Sequence, residues 1–177
     1  TTVSITKYVK PFQKIAIVGA GAASFRFIQN YREFNTTDEI IVFSNEENPF
    51  YNRVLLPEYV TAELSWEQLL KIKEDSLSKL NITMKSGVSI DNVNTKENTI
   101  LDSQGVLHTF DSLILATGSR PFVPENAQLH LPGRFTIRKK EDADRLKNYL
   151  DNTNLAPEEQ HVVSVGGGLL GLELAAA

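Results

Sequence analysis

Two stretches of this 177-residue chain place glycines where a backbone, rather than a side chain, could do chemistry. They are Gly19 and Gly21 in "KIAIVGAGAASF", and Gly166, Gly168 and Gly171 in "HVVSVGGGLLGLELAAA". In each, a β-branched apolar run breaks into closely spaced glycines and then becomes helix-like. Such a turn aims the free N–H groups and partial positive charge of a helix N-terminus at an anion, and glycine lets the backbone approach it. A diphosphate suits that geometry, and two turns would serve two dinucleotides. The second turn matches G-x-G-x-x-G in full. The first carries Ser24 at the third position, which predicts slightly relaxed packing of helix on strand. A ribose-binding acid is expected ~20 residues on, near the end of the second strand. Ser44 and Asn45 come first there, then Glu46 and Glu47, and Glu46 is the preferred candidate. The bland alternatives are a plain tight turn for the glycines and a solvated loop carboxylate for Glu46.

The flanking elements decide whether these turns are positioned. "KIAIV" (14–18) and "EIIVF" (39–43) read as short buried strands. Between them Phe27, Ile28, Tyr31 and Phe34 share one face of a helix over 22–34. Strand, glycine turn, helix, strand is a βαβ unit and predicts a parallel sheet. "NEENPFYNRVLLPEYV" (45–60) reads as loop. Ser65 and Gln68 form a capping-box pattern, so a helix opens at Trp66 and continues to about Leu80. "NITMKSG" (81–87) is a third strand. "VSIDNV", "NTILD" and "VLHTF" form a small antiparallel meander, and "SLILATGS" (112–119) is an apolar strand. A three-proline linker, a helix over 139–150 and a buried strand "HVVSV" (161–165) lead into the second turn.

Composition narrows the function classes. Hydrophobic residues at 41% and charged residues at 23% describe an ordinary globular chain, and a net charge of −4 without a basic cluster argues against nucleic-acid or membrane-surface partners. No apolar run reaches the ~20 residues of a membrane span, and no signal peptide is visible, so the expectation is a cytoplasmic protein. With no cysteine, disulfide scaffolds, thiol catalysis and cysteine-ligated metals are excluded within the chain. A start without methionine and an ending in "LELAAA" suggest a trimmed piece.

Four stretches in order, "GAGAAS", "NPFYNRVLL", "DSLILATGSRP" and "GGGLLGLELA", make the chain resemble the FAD-dependent pyridine-nucleotide oxidoreductases, the two-dinucleotide flavoproteins. "YNRVLL" is most similar to the flavin part of NAD(P)H nitrite reductase large subunits, with NADH:rubredoxin reductases close behind. The resemblance runs from Lys14 onward. It implies that Gly19, Gly21, Ala22 and Ala23 line the FAD diphosphate turn, and that Glu46 with Asn45 meets the adenosine ribose. It further implies that Arg53 helps neutralise the diphosphate, that Val88 offers backbone atoms to adenine, and that Ala116, Thr117 and Gly118 pass against FAD. It assigns Gly166, Gly168, Gly171 and Glu173 to the NAD(P)H turn. Two departures stand out: "LLPEY" replaces the lysine-bearing run of many relatives after the loop arginine, and the redox-active C-x4-C pair is missing.

The expected architecture is therefore α/β: a Rossmann-like FAD-binding domain with a parallel sheet and a β-meander insertion, and the start of a second, NAD(P)-binding Rossmann-like domain. The expected divisions are an N-terminal extension (1–13), a first FAD-domain segment (14–125), a linker and helix (126–160), and the truncated NAD(P) segment (161–177). The implied activity passes a hydride from NAD(P)H to FAD and electrons onward to a downstream redox domain or a small redox protein. Cofactors carry that chemistry, so no catalytic residue is assigned, and His108, His130 and His161 read as surface or strand histidines. The residue that separates NADH from NADPH is expected beyond Ala177. The competing readings are a rubredoxin- or ferredoxin-type reductase, a non-catalytic nucleotide-binding module, and a simple NAD-dependent dehydrogenase. The meander disfavours the last.

Overall fold

Strands β1 (Lys14–Val18) and β2 (Glu39–Phe43) pair in parallel, joined by helix α1 (Ala22–Phe34). A computed structural model describes residues 12–72, 77, 79–156 and 159–176; most of the expected N-terminal extension lies outside these. The chain falls into two compact units: Thr1–Pro49 with Lys73–Thr117, and Phe50–Ile72 with Gly118–Ala177.

The first unit is built on a four-stranded parallel sheet in the order β3-β2-β1-β7, with β3 at Ile82–Lys85 and β7 at Ser112–Leu115. Ile15, Ala16 and Ile17 of β1 are all buried, as expected for the central strand of a parallel sheet. Ile28 of α1 is fully buried, and Phe27 stacks on Tyr31. Phe34, expected on the same face, is 88% exposed. A 13-residue helix is ~20 Å long whereas a five-residue strand spans ~16 Å, so the last turn overruns the sheet.

Near that end a polar network ties α1 to the sheet. Tyr31 donates its hydroxyl to Asp38, which is 2% exposed and also accepts the Gln13 N–H. Burial, and then the bond to Asp38, push the Tyr31 phenol up to about 12. Arg32 donates to the carbonyls of Leu80, Asn35, Asp38 and Asn81 at 2.7–3.0 Å.

The meander β4 (Ile90–Asn94), β5 (Thr99–Asp102) and β6 (Leu107–Thr109) is a separate antiparallel sheet. Its Ile100 is fully buried and clusters with Ala16, Phe43, Val88 and Phe110. Asp102 closes the β5–β6 turn: Oδ1 accepts the N–H groups of Gln104 and Val106, and Oδ2 lies 2.8 Å from His108 Nε2. The His108 ring meets the Phe43 ring edge-on, with centroids 4.9 Å apart.

In the second unit a 3-10 turn (Arg53–Leu55) leads into α2 (Leu56–Val60), followed by α3 (Trp66–Leu69), α4 (Lys140–Asp151) and α5 (Leu169–Ala176). Tyr51, Leu56, Leu69 and Ala143 form its core. The capping box starts α3 at Trp66 as expected, but the helix is a single turn. Backbone pairing draws the chain out of helical conformation: Asn52 donates to Leu69 O and Lys71 to Phe50 O. Of the expected continuation to Leu80, residues 73–76 and 78 lie outside the described set. The "HVVSV" run forms no strand, and Val163 and Val165 are 82% and 93% exposed. Among the described residues no strand lies alongside to complete its hydrogen bonds, and an unpaired strand is not stable alone. No described helix is long and apolar enough to cross a membrane.

Candidate functional site

The first glycine turn is held at the C-terminal ends of three strands. Gly19 N–H donates to Phe43 O at the end of β2, and Ala116 N–H donates to Val18 O beside it. Gly19 has φ +107°, and a Cβ there would lie 2.2 Å from the carbonyl oxygen of Ala116, so no other residue fits. Ser24, at the third fingerprint position, does not loosen the packing. It is 1% exposed, and its hydroxyl donates to Gly19 O, so it pins the helix to the turn it follows. Gly21 is the residue before α1. No atom approaches within 4 Å of where its Cβ would be, no side chain caps the helix, and its first turn carries no acid. Ala22 and Ala23 stand exposed behind it. This is room for an anion in front of free N–H groups, the cradle a diphosphate needs.

Beside the turn is a cleft of ~210 Å³ lined by Val18, Gly19, Phe43, Asn45, Val88, Ser89, Ile90 and Thr117. Four of the expected residues, Gly19, Asn45, Val88 and Thr117, thus meet in one place. Val88 donates its N–H to Ser44 O at 2.7 Å, so its carbonyl is the backbone atom left to offer. Asn45 is exposed, whereas Glu46 is 9% exposed and does not line the cleft. Phe43, Ser89 and Ile90 were not legible as site residues. For Phe43 the usable signal is its place at the C-terminal end of a parallel strand, where such sheets bind ligands. Ala116 is half-buried under Gly19.

The remaining expected residues belong to the second unit. Arg53 donates to the Tyr51 hydroxyl at 2.7 Å and to Arg138 O at 3.3 Å, with its guanidinium over the Tyr51 ring. Gly118 is exposed and lies against the guanidinium of Arg138, which donates to Ser119 O. Arg138 was not singled out from sequence. At the second turn Gly166 has φ +121°, and Leu172 N–H donates to Gly168 O. A Cβ on Gly171 would lie 2.3 Å from Gly166 O, so the third glycine lets helix and turn pack closely. Glu173 is half-buried, and its Oε2 has no hydrogen-bond partner among the described residues.

A parallel sheet, a glycine turn at its strand ends, an uncapped helix N-terminus and an adjacent cleft define a dinucleotide-binding α/β protein. The family profile of pyridine nucleotide-disulphide oxidoreductases matches residues 13–177, and the chain belongs to that family. Proteins of the family use FAD and NAD(P)H. The chain is 32% identical over 165 residues to the nitrite reductase [NAD(P)H] large subunit of Klebsiella oxytoca, covering 92% of this chain and 16% of that one. It is 30% identical over 164 residues to the assimilatory nitrate reductase electron transfer subunit of Bacillus subtilis (strain 168), covering 92% and 20%. The crystal structure of NADH:rubredoxin oxidoreductase from Clostridium acetobutylicum matches with a TM-score of 0.75 at 25% identity, over 94% of this chain and 41% of that one. The chain thus spans a fifth or less of the two curated relatives and under half of the solved one.

Proposed function

We propose that this chain is part of a cytoplasmic flavoprotein oxidoreductase of nitrite-reductase type, which takes a hydride from NAD(P)H onto FAD and passes electrons to a further redox domain. The supply of reduced nicotinamide is the reason for placing it in the cytoplasm. The observation that carries the reading is the first turn: Gly19 locked against the Ala116 backbone, open space at Gly21, and the cleft lined by Gly19, Asn45, Val88 and Thr117. These residues fit the adenosine diphosphate half of FAD. The amides at the start of α1 would face the diphosphate, and Phe43, Val88 and Ile90 would give the base an apolar wall. Bound FAD supplies the two-electron acceptor, and the protein's part is to hold it and exclude water. Gly166, Gly168 and Gly171, with Glu173 behind them, are the proposed nicotinamide-dinucleotide turn, supported by the close packing of Gly171 on Gly166.

A second acceptor class, a small redox protein, is favoured by the likeness to a rubredoxin oxidoreductase. Purified full-length protein tests the core of the reading. It should show flavin absorption that bleaches on adding NADH or NADPH. A colourless protein that takes up no FAD would overturn it. Among bleaching proteins, reoxidation by nitrite separates the first acceptor from reoxidation by rubredoxin or ferredoxin.

A further inference from the structure

We propose that Trp66, Tyr59 and Asp144 form a relay in the second unit that carries an oxidising equivalent out to solvent, where it ends as a tyrosyl radical on Tyr59 with its proton on Asp144. The geometry stands by itself, and only the need for such a relay rests on the flavoprotein reading above. Peroxide, the product of dioxygen at a reduced flavin, is split by trace ferrous iron into hydroxide and hydroxyl radical. Bicarbonate turns the latter into carbonate radical, a one-electron oxidant of tryptophan. Trp66 is the chain's only tryptophan, and two of its five tyrosines flank it. The rings of Tyr51 and Tyr59 have their centroids 5.0 and 6.0 Å from that of Trp66, the first tilted and the second edge-on. Rings at these distances pack a core, and they are also close enough for an electron to pass between them.

What separates the two tyrosines is where a positive charge can rest. Tyr51 is buried, its hydroxyl accepts N–H groups from the Lys140 backbone and the Arg53 guanidinium, and that guanidinium lies 4.7 Å over its ring. An electron vacancy there would sit against a cation. Trp66 has the Lys140 ammonium 5.0 Å over its ring, which makes its radical cation a transit state rather than an end point. Tyr59 also has cations over it, Lys140 at 5.5 Å and Lys147 at 5.6 Å, but it donates its hydroxyl to Asp144 Oδ1 at 2.7 Å. Burial, and then the bond to Asp144, push this phenol up, so the proton stays until an electron leaves. Carbonate radical takes one electron from Trp66 and becomes carbonate. Tyr59 gives one electron to Trp66 and its proton to Asp144, which leaves a neutral indole, a neutral tyrosyl radical and a neutral carboxyl. A thiolate in solution returns the electron and becomes a thiyl radical. The proton then goes back to Tyr59, because the Lys140 ammonium, 2.7 Å from Asp144 Oδ2, favours the ionised carboxylate. The Asp144 side chain is 34% exposed, so this end of the relay meets solvent.

The test uses full-length protein, with and without FAD, and ruthenium(III) tris-bipyridine generated by a light flash as the one-electron oxidant. Time-resolved absorption and freeze-quenched electron paramagnetic resonance follow the radicals, and loss of the transient in Trp66→Phe assigns it to Trp66. In the wild type the tryptophan radical should give way to a tyrosyl radical. Tyr59→Phe should lengthen the tryptophan radical's lifetime about tenfold or more, and Asp144→Asn should do the same, because an amide keeps the hydrogen bond but is no base. Heavy water should slow the wild-type step, a measurement that needs no variant. Tyr149→Phe, at a ring paired with Phe135 instead, should change nothing, and thermal unfolding checks that each variant is folded. A tryptophan radical that decays at the wild-type rate in Tyr59→Phe or Asp144→Asn overturns the proposal, as does an unchanged rate in heavy water. Protein that takes up no FAD sinks the reading above, and the lifetimes then still decide the relay. Protein that holds FAD while Tyr59→Phe leaves the lifetime unchanged sinks the relay alone.

Discussion

The glycine turns at Gly19 and Gly166 start from nearly the same local code and end in different structures. Before Gly19 the apolar run is a strand with neighbours on both sides, and the turn is held to those neighbours by a hydrogen bond from Gly19 to Phe43 O at the end of β2 and by contact with Ala116 just after β7. Before Gly166 the apolar run is not a strand, and its valines face solvent. Yet Gly171 packs on Gly166, and the helix still starts after the glycines. The turn and helix start are therefore local properties, settled within a few residues. The strand is not, because its backbone groups need partners far away in sequence. An anion cradle can be written in six residues, but a rigid one needs a sheet.

Substituting the two glycines should break this comparison most visibly. Gly19→Ala collides with the Ala116 backbone as well as straining φ, and should cost about 3 kcal/mol or more in chemical denaturation. Gly166→Ala meets no atom within 4 Å, so only backbone strain remains, about 1 kcal/mol. Equal losses would show that the environment of the turn does not matter.

Removing support far from the turn should cost less. Arg32→Ala leaves four carbonyls without their charged donor and should lower stability by about 2 kcal/mol, while FAD affinity of the folded protein stays unchanged. A large affinity loss at unchanged stability would contradict its placement.

The meander offers a smaller, pH-dependent effect. The hydrogen bond from His108 holds the Asp102 carboxyl below its ordinary value, against desolvation by burial and with the Val106 and Gln104 N–H groups assisting. A lowered folded-state pKa stabilises the fold above the ordinary carboxylate range, and that contribution is lost as pH falls through the folded value. Asp102→Asn should therefore lower stability at neutral pH and flatten the acid limb of a denaturation series run between about pH 7 and pH 2. An unchanged acid limb would remove Asp102 from the account.

Gly21→Ala should move stability least, by under about 0.5 kcal/mol, because its Cβ points into empty space. FAD affinity should nevertheless fall, since the methyl group enters the space proposed for the diphosphate. If affinity holds, the cradle is not where the cofactor sits.

The sequence alone was enough for the βαβ unit, the meander, the start of α3 at Trp66 and the place of both glycine turns. Each rests on side-chain period or on the steric needs of glycine and capping residues, which act over a few positions. Tertiary structure decided that α3 ends after one turn, because residues 50–52 offer its last residues extended partners. It decided that Phe34 overruns the sheet and that Ser24 binds rather than loosens its turn. It also decided which of Asn45, Glu46 and Glu47 faces the cleft. Adjacent residues of one loop carry no periodic signal, and only the contacts of Ser44 and Gly87 with the chain around them fix which way each side chain turns.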